Sequence, residues 1–145
     1  MEIVLKEIPY GSAEYEMTRA LRNRIMRAPI GLSIYDQDYT FEVNSRIVGA
    51  FDGGTMLGCS IVGRLNGEVC LDFLCIDDRV QKSGIGSVLL EDVENWVRQQ
   101  GIPRLILEAR VTARKFYEKH GYEAYGDIYL MEKSPVDHIM MRKDF

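Results

Sequence analysis

Apolar and polar residues change period several times along the chain, and each change marks an element. Residues 2–8 alternate, with Ile3 and Leu5 on one side at the two-residue period of a strand and Ile8 a further contributor to the inward face; Pro9 and Gly11 end it. Met17, Leu21 and Ile25 then recur at helical spacing behind Ser12, whose side-chain oxygen suits a helix N-cap, and Pro29 and Gly31 stop that helix after about Met26. Three strand-like runs follow at 47–51, 55–65 and 68–76, broken by Asp52-Gly53-Gly54 and by Asn66-Gly67, a two-residue hairpin signal. They predict an antiparallel meander.

Helical spacing returns in Ile85, Val88, Leu89, Val93, Trp96 and Val97, with Glu91, Asp92, Glu94, Asn95 and Arg98 on the other face and Gly101 and Pro103 as the stop. Leu105-Ile106-Leu107 reads as a short buried strand. A strand-helix-strand crossover returns it parallel to the strand before the helix. A short helix over 113–120 behind Thr112, then strands over 124–131 and 137–142 flanking Ser134-Pro135, complete the order β-α-βββ-α-β-α-ββ of a mixed α/β fold. Only residues 32–45 lack a clean period. There Tyr35, Tyr39 and Phe41 are interleaved with Asp36, Gln37, Asp38 and Glu42, as expected of a ligand-facing segment or of a loop whose aromatics plug the core.

The stretch from Asp77 to Ser87 joins the third strand of the meander to the second long helix. Its Gly84 and Gly86 let backbone amides approach a ligand closely, and a helix start leaves orphan N–H donors at the positive end of the dipole. An anion such as a phosphate is stabilised in such a place. The turn lacks the Gly-Lys-Ser/Thr ending of a P-loop, and Leu89 stands where a dinucleotide fingerprint needs a small residue.

Composition narrows the picture further. At 145 residues, 46% hydrophobic and 28% charged, the chain has the make-up of one ordinary globular domain over 1–145. A net charge of -4 argues against a nucleic-acid partner, and Arg19, Arg22, Arg24 and Arg27 are expected on a solvated helix face. Cys59, Cys70 and Cys75 lie in apolar surroundings without C-x-x-C spacing, and His120 and His138 stand apart from any Cys/His cluster, so reduced buried thiols and no metal are expected. Met1 to Lys6 does not read as a signal peptide and no run approaches eighteen apolar residues, so the expectation is a cytoplasmic protein with no membrane partner.

Gln81-Lys82-Ser83-Gly84-Ile85-Gly86 resembles the Q/R-x-x-G-x-G/A signature of the GNAT superfamily of N-acetyltransferases, and Ala113 to Tyr122, with Phe116-Tyr117 and Gly121, resembles that family's A-x-x-F-Y-x-x-x-G-F/Y segment. The resemblance implies a mostly antiparallel sheet of six or seven strands whose one parallel pair splays apart to hold acetyl-coenzyme A. It implies direct acetyl transfer to a primary amine in a ternary complex. The pyrophosphate would lie on Gln81, Lys82, Ser83, Gly84, Ile85, Gly86 and Ser87, the pantetheine along Leu74, Cys75 and Ile76, with Phe116 and Tyr117 beside it. A backbone N–H near Cys75 or Ile76 would polarise the thioester carbonyl.

By the same resemblance Tyr117 would protonate the departing thiolate. For the base, Asp72 leads on the strand before the turn, with Glu68 and Glu108 as rivals, and His138 has the pKa range for a base or an acceptor contact. Arg110 departs from the family's Asn at a pantetheine contact. The acceptor would be a small-molecule or peptide amine, and homodimers are common in the family. A coenzyme A binding module without catalysis is the alternative reading.

Overall fold

The computed structural model describes residues 2–145. It contains β1 (Val4–Glu7), α1 (Ala13–Met26), β2 (Arg46–Asp52), β3 (Thr55–Leu65), β4 (Glu68–Ile76), α2 (Ile85–Gln99), β5 (Arg104–Arg110), α3 (Arg114–Lys119), β6 (Glu123–Leu130) and β7 (Asp137–Asp144). The strands form one sheet in the order β1-β2-β3-β4-β5-β7-β6. Every neighbouring pair is antiparallel except β4 and β5. The element order and the mixed α/β sheet are those the hydrophobic pattern predicts. At the β3–β4 hairpin both Asn66 and Gly67 have positive φ, at 51° and 81°, which is why that dipeptide marks the turn.

Helices cover both faces. α2 and α3 bury Leu90, Val93, Val97 and Tyr117 against Val69, Leu71, Leu105, Leu107 and Met141. α1 and the segment after it bury Tyr15, Leu21, Ile34 and Tyr39 against Ile61, Phe73 and Cys75 on the other face. Two positions of α2 differ from the sequence expectation. Val88 is 41% exposed, and Glu94 is buried because Tyr122 donates to it at 2.7 Å and Lys143 pairs with it at 3.1 Å.

β4 and β5 are paired only at Cys70↔Ile106 and Leu71↔Leu107. Just there β4 also carries an extra residue: Ile61 faces Phe73 while Val62 faces Leu71, leaving Asp72 as the residue of a bulge. The bulge resets the alternation, so Leu71 joins the core under α2 while Phe73 joins the core under α1. Beyond it the two strands part.

The aperiodic segment folds as short 3-10 turns, Ile34–Asp36 and Thr40–Asn44. Ile34, Tyr39 and Glu42 are buried, whereas Tyr35 and Phe41 stay about half exposed, so the segment is partly a core plug and partly a surface. It also corrects the solvated face expected for the arginines in part: Arg19 and Arg24 lie at the surface in ion pairs with Glu16 and with Asp77 and Asp78, whereas Arg22 and Arg27 do not. Arg22 is 0% exposed and Arg27 2%. Glu42 reaches under the segment to meet Arg22 in a two-point pair, Nη1 to Oε2 at 2.8 Å and Nη2 to Oε1 at 3.0 Å, and accepts from the Tyr15 hydroxyl at 2.6 Å. Burial and that contact hold the Tyr15 phenol well above its ordinary pKa.

Removing one partner of such a pair leaves an uncompensated buried charge. Glu42→Ala is expected to lower the unfolding free energy by about 3–5 kcal/mol, whereas the apolar pair Arg22→Met/Glu42→Leu costs much less. Urea denaturation of both variants checks this, and an Ala variant within about 1 kcal/mol of the parent would show that the pair is not a keystone.

Candidate active site

The two long helices start differently. Ser12 caps α1, its Oγ accepting from the Tyr15 amide at 3.1 Å. α2 is preceded by Gly84 in the left-handed region, at φ 92° and ψ -2°, and no side chain caps it. The first-turn amides of Ile85, Gly86 and Ser87 therefore lack a capping partner, and the positive end of the dipole is left bare. Lys82 also has positive φ, at 68°, a conformation that costs a non-glycine residue about 1–2 kcal/mol. The turn is anchored by the Asp77 carboxylate, which accepts from the Arg79 amide at 2.9 Å and from Arg24 Nη2 at 2.9 Å. The Arg79 guanidinium holds that carboxyl well below the usual range.

Each residue of the loop contributes differently. Ile85 turns its side chain into the core beside Leu57 and Leu89, so only its amide is available. At Gly86 a Cβ would sit 3.4 Å from Phe116 Cζ, so the missing side chain lets α2 press against Phe116. Ser87 Oγ lies 3.0 Å from His120 Nε2, and His120 Nδ1 lies 2.8 Å from the Phe116 carbonyl. A carbonyl only accepts, so Nδ1 carries the proton, and in the neutral ring Nε2 accepts from Ser87. The two sequence signatures are thus joined directly, first turn of α2 to α3.

The gap between β4 and β5 begins where their pairing ends. Asp77 donates its amide to Leu57 of β3 at 2.8 Å, and Cys75 faces Cys59 in the same register. Alternation along the strand then points the Cys75 amide at β3 and those of Leu74 and Ile76 into the gap. Gln81 reaches in as well, donating from Nε2 to the Ile76 carbonyl at 3.3 Å. Cys75, expected beside the cofactor, instead turns its amide to β3 and its side chain into the core. Its thiol is 1% exposed, and the neighbouring Cys59 together with burial raises its pKa.

The gap opens into a cleft of about 490 Å³ that runs past Asp72, Glu108, Arg110, Tyr117 and His138 to the loop between β6 and β7. Tyr117 packs edge-on to Phe116 and Tyr122, and its hydroxyl has no hydrogen-bond partner among the described residues. Burial, reinforced by Cys70, raises the phenol pKa, so it stays protonated and can donate. Asp72 has a buried Oδ2 without a partner. Burial, with Glu42 and Glu108 nearby, pushes its carboxyl up to about 7 against the lowering by Cys70 and Arg22. Gly63 makes room for it, since a Cβ there would lie 2.5 Å from that oxygen.

His138 is buried and donates from Nδ1 to the Val136 carbonyl at 2.7 Å, which leaves the Nε2 lone pair free. Burial lowers its pKa, so the ring is neutral at pH 7. Of the carboxylate rivals, Glu108 lines the cleft and accepts from the Tyr129 hydroxyl, whereas Glu68 is exposed at the start of β4, beside Arg104 at 4.0 Å.

Sequence reading left Arg27, Arg110, Tyr129 and Lys133 out of the site, although all four line the cleft. A signal for part of this set was present in β5. Leu105, Leu107 and Ala109 pack in the core, and the intervening Glu108 and Arg110 pair with Met140 and His138 of β7 on the opposite face. Polar residues at alternate positions of a strand so deep in the sheet are themselves the mark of a lined cavity.

A family model described as the acetyltransferase (GNAT) domain matches residues 21–145. The uncharacterised N-acetyltransferase YjcF of Bacillus subtilis (strain 168) is 25% identical over 103 residues, 71% of this chain and 73% of that protein. A second Bacillus subtilis (strain 168) protein, provisionally named an acetyltransferase, is 33% identical over 73 residues, and the match spans 50% of this chain and about half, 48%, of that relative's length. Among solved structures, a GNAT family acetyltransferase from Elizabethkingia anophelis with acetyl-CoA bound superposes with a TM-score of 0.70 at 16% identity, over 99% of this chain and 98% of the other. The parted parallel strands, the uncapped helix start and the family match agree: this chain belongs to the GNAT family of acetyltransferases.

Proposed function

We propose that the protein moves an acetyl group from acetyl-coenzyme A to a primary amine by direct transfer in a ternary complex. The observation that carries the reading is the uncapped N-terminus of α2 at the mouth of the gap between β4 and β5. Anion-seeking amides would take the pyrophosphate there, at Gly84, Ile85, Gly86 and Ser87, with Gln81, Lys82 and Ser83 shaping the turn. The amides of Leu74 and Ile76 would pair with the pantetheine as if it were an added strand, and Phe116 would pack beside it. One of those two N–H groups would polarise the thioester carbonyl.

Transfer needs a proton removed from the amine and one delivered to the departing sulfur. Tyr117, protonated and unpartnered, would be the donor to sulfur. Asp72 is the base best matched to neutral pH, since its pKa of about 7 makes the carboxylate available yet basic. His138 and Glu108 line the same cleft and would orient the acceptor or pass the proton to Asp72. Cys75, turned into the core, leaves no thiolate for a covalent acetyl-enzyme, which favours direct transfer.

Three expected outcomes test the reading. Acetyl-coenzyme A should raise the melting temperature. Ser87→Asp, which puts a negative charge on the first turn of α2, should stabilise the free protein by about 0.3–1 kcal/mol and abolish that ligand-induced rise. Retention of the rise in the variant would move the pyrophosphate elsewhere. Tyr117→Phe should cut kcat by roughly 10²-fold with acetyl-coenzyme A affinity held, measured by thiol release, and full turnover would remove Tyr117 as the acid.

Acidity supplies the third. The Asp72 carboxyl has an ordinary value of 3.8 and is raised to about 7 in the folded chain, so between these pH values the folded state holds a proton that the unfolded state lacks. Its contribution to stability is therefore lost as pH rises through that window. Asp72→Asn should gain stability relative to the parent at pH 8 compared with pH 5 in paired urea titrations. It should also lose the limb of the kcat/KM profile that rises through about pH 7. An unaltered limb would hand the base role to Glu108 or His138, and coenzyme A binding without thiol release for any amine would leave a binding module.

A further inference from the structure

Carboxylates neutralise the other arginines of α1 and its surroundings. Arg22 meets Glu42, Arg24 meets Asp77 and Asp78, and Arg46 meets Glu7 and Asp92. Arg27 and Arg110 have no carboxylate at ion-pair distance among the described residues, and both line the cleft. Arg27 is 2% exposed and meets only neutral acceptors: Gln37 Oε1 at 2.9 Å, the Met26 carbonyl at 3.0 Å and the Tyr39 hydroxyl at 2.7 Å. Arg110 employs one nitrogen, Nη2, which donates to the same Met26 carbonyl at 2.7 Å and to Ser134 Oγ at 3.1 Å. Its Nε is buried without a partner, and Nη1 has none among the described residues either.

Two guanidiniums that share one carbonyl lie close together, and burial with the charge of Arg27 depresses the Arg110 pKa. Lys133 adds a third cation, with Nζ 4.2 Å from the centre of the Tyr39 ring. Capping the carbonyl end of α1 would account for Nη2 of Arg110 but leaves Nε and Nη1 idle. An uncompensated buried cation costs several kcal/mol unless an anion joins it.

Two carboxylates of the cleft stand apart from this pair: Asp72 occupies the bulge, and Glu108 precedes Arg110 by two residues on the same face of β5, a separation of about 7 Å. Glu132 of the β6–β7 loop and Arg64 of β3 also line the cleft, yet the side-chain charge that depresses Arg110 is that of Arg27. Building on the acetyl-transfer reading, we propose that the acceptor is an amine carrying its own carboxylate, a free amino acid or small amino-acid conjugate. Its carboxylate is seated on Arg110 beside Arg27 and its amine is presented at the Asp72 and Glu108 end. The amine nitrogen bonds to the acetyl carbon as the carbon–sulfur bond breaks, the nitrogen's proton passes to the carboxylate base, the Tyr117 phenol gives its proton to the departing sulfur, and the products are an N-acetyl amino acid and the coenzyme A thiol.

Matched pairs of acceptors that differ only in the carboxylate test this: phenylalanine with phenethylamine, lysine with cadaverine, methionine with 3-(methylthio)propylamine. The expected result, by thiol release, is a kcat/KM at least about tenfold higher for the acid of the preferred pair, the value of one charge-assisted contact. Arg110→Gln should bring that ratio near unity without changing the KM for acetyl-coenzyme A. If that variant does not fold, Lys133→Met at the rim carries the test, with a several-fold fall in the same ratio expected. Equal or faster turnover of the decarboxylated partners overturns the carboxylate subsite and leaves acetyl transfer standing. So does an Arg110→Gln variant that raises the acetyl-coenzyme A KM and spares the ratio, which would put Arg110 on the pantetheine. Silence from both members of every pair, with all of these amines at high concentration, overturns acetyl transfer to such amines and the subsite with it.

Discussion

Two parallel strands that separate after two residue pairs impose the central constraint on this molecule. Backbone amides that lose a neighbour in mid-sheet cost about 1–3 kcal/mol each if nothing replaces it. At the β4–β5 gap that replacement cannot come from a neighbouring strand, and the rest of the architecture is arranged around it. The bulge at Asp72 is where the strands begin to part, and it sends the next side chains to opposite cores. α2 begins at the open end of the same gap, so the uncapped helix amides and the unpaired strand amides lie within one short stretch of chain.

Charge is distributed with similar economy. The closed pair of Arg22 and Glu42 ties α1 to the segment that follows it, and so sets the position of Arg27 one and a half turns further on. Arg110 then draws β5 towards the end of α1 through the Met26 carbonyl and towards the β6–β7 loop through Ser134. The two walls of the cleft are linked across it by polar contacts rather than by apolar packing. Such links hold the walls in register while leaving charged donors facing the space between.

Most of the fold was legible because its signals are local. Asn66-Gly67 requires left-handed backbone, the stripe of α2 needs only its own spacing, and the crossover rule alone places β5 parallel to β4. The glycine turn before α2 was legible for the same reason, since it is a local object, although the opposite facing of the Cys75 amide and those of Leu74 and Ile76 follows only from the register with β3. The far walls of the cleft were harder to read. They are assembled from α1, residues 32–45, β5 and the β6–β7 loop, and Glu42 meets Arg22 across twenty positions of sequence. Burial of Arg22 and Arg27 depends on that long-range meeting, so helical spacing alone placed them in solvent.

The roof over the acceptor end is stitched through main-chain oxygens, with Gln37 donating to the Lys133 carbonyl at 2.8 Å and the Lys133 ammonium donating to the Asp38 carbonyl. Every residue type offers that oxygen, and the amides of α2 and β4 are equally indifferent to the side chains attached to them. The stitching therefore fixes the donors Gln37 and Lys133 while leaving the side chain of Asp38 unconstrained by it. The roof can thus change its lining at such positions without disturbing the parted strands or the start of α2.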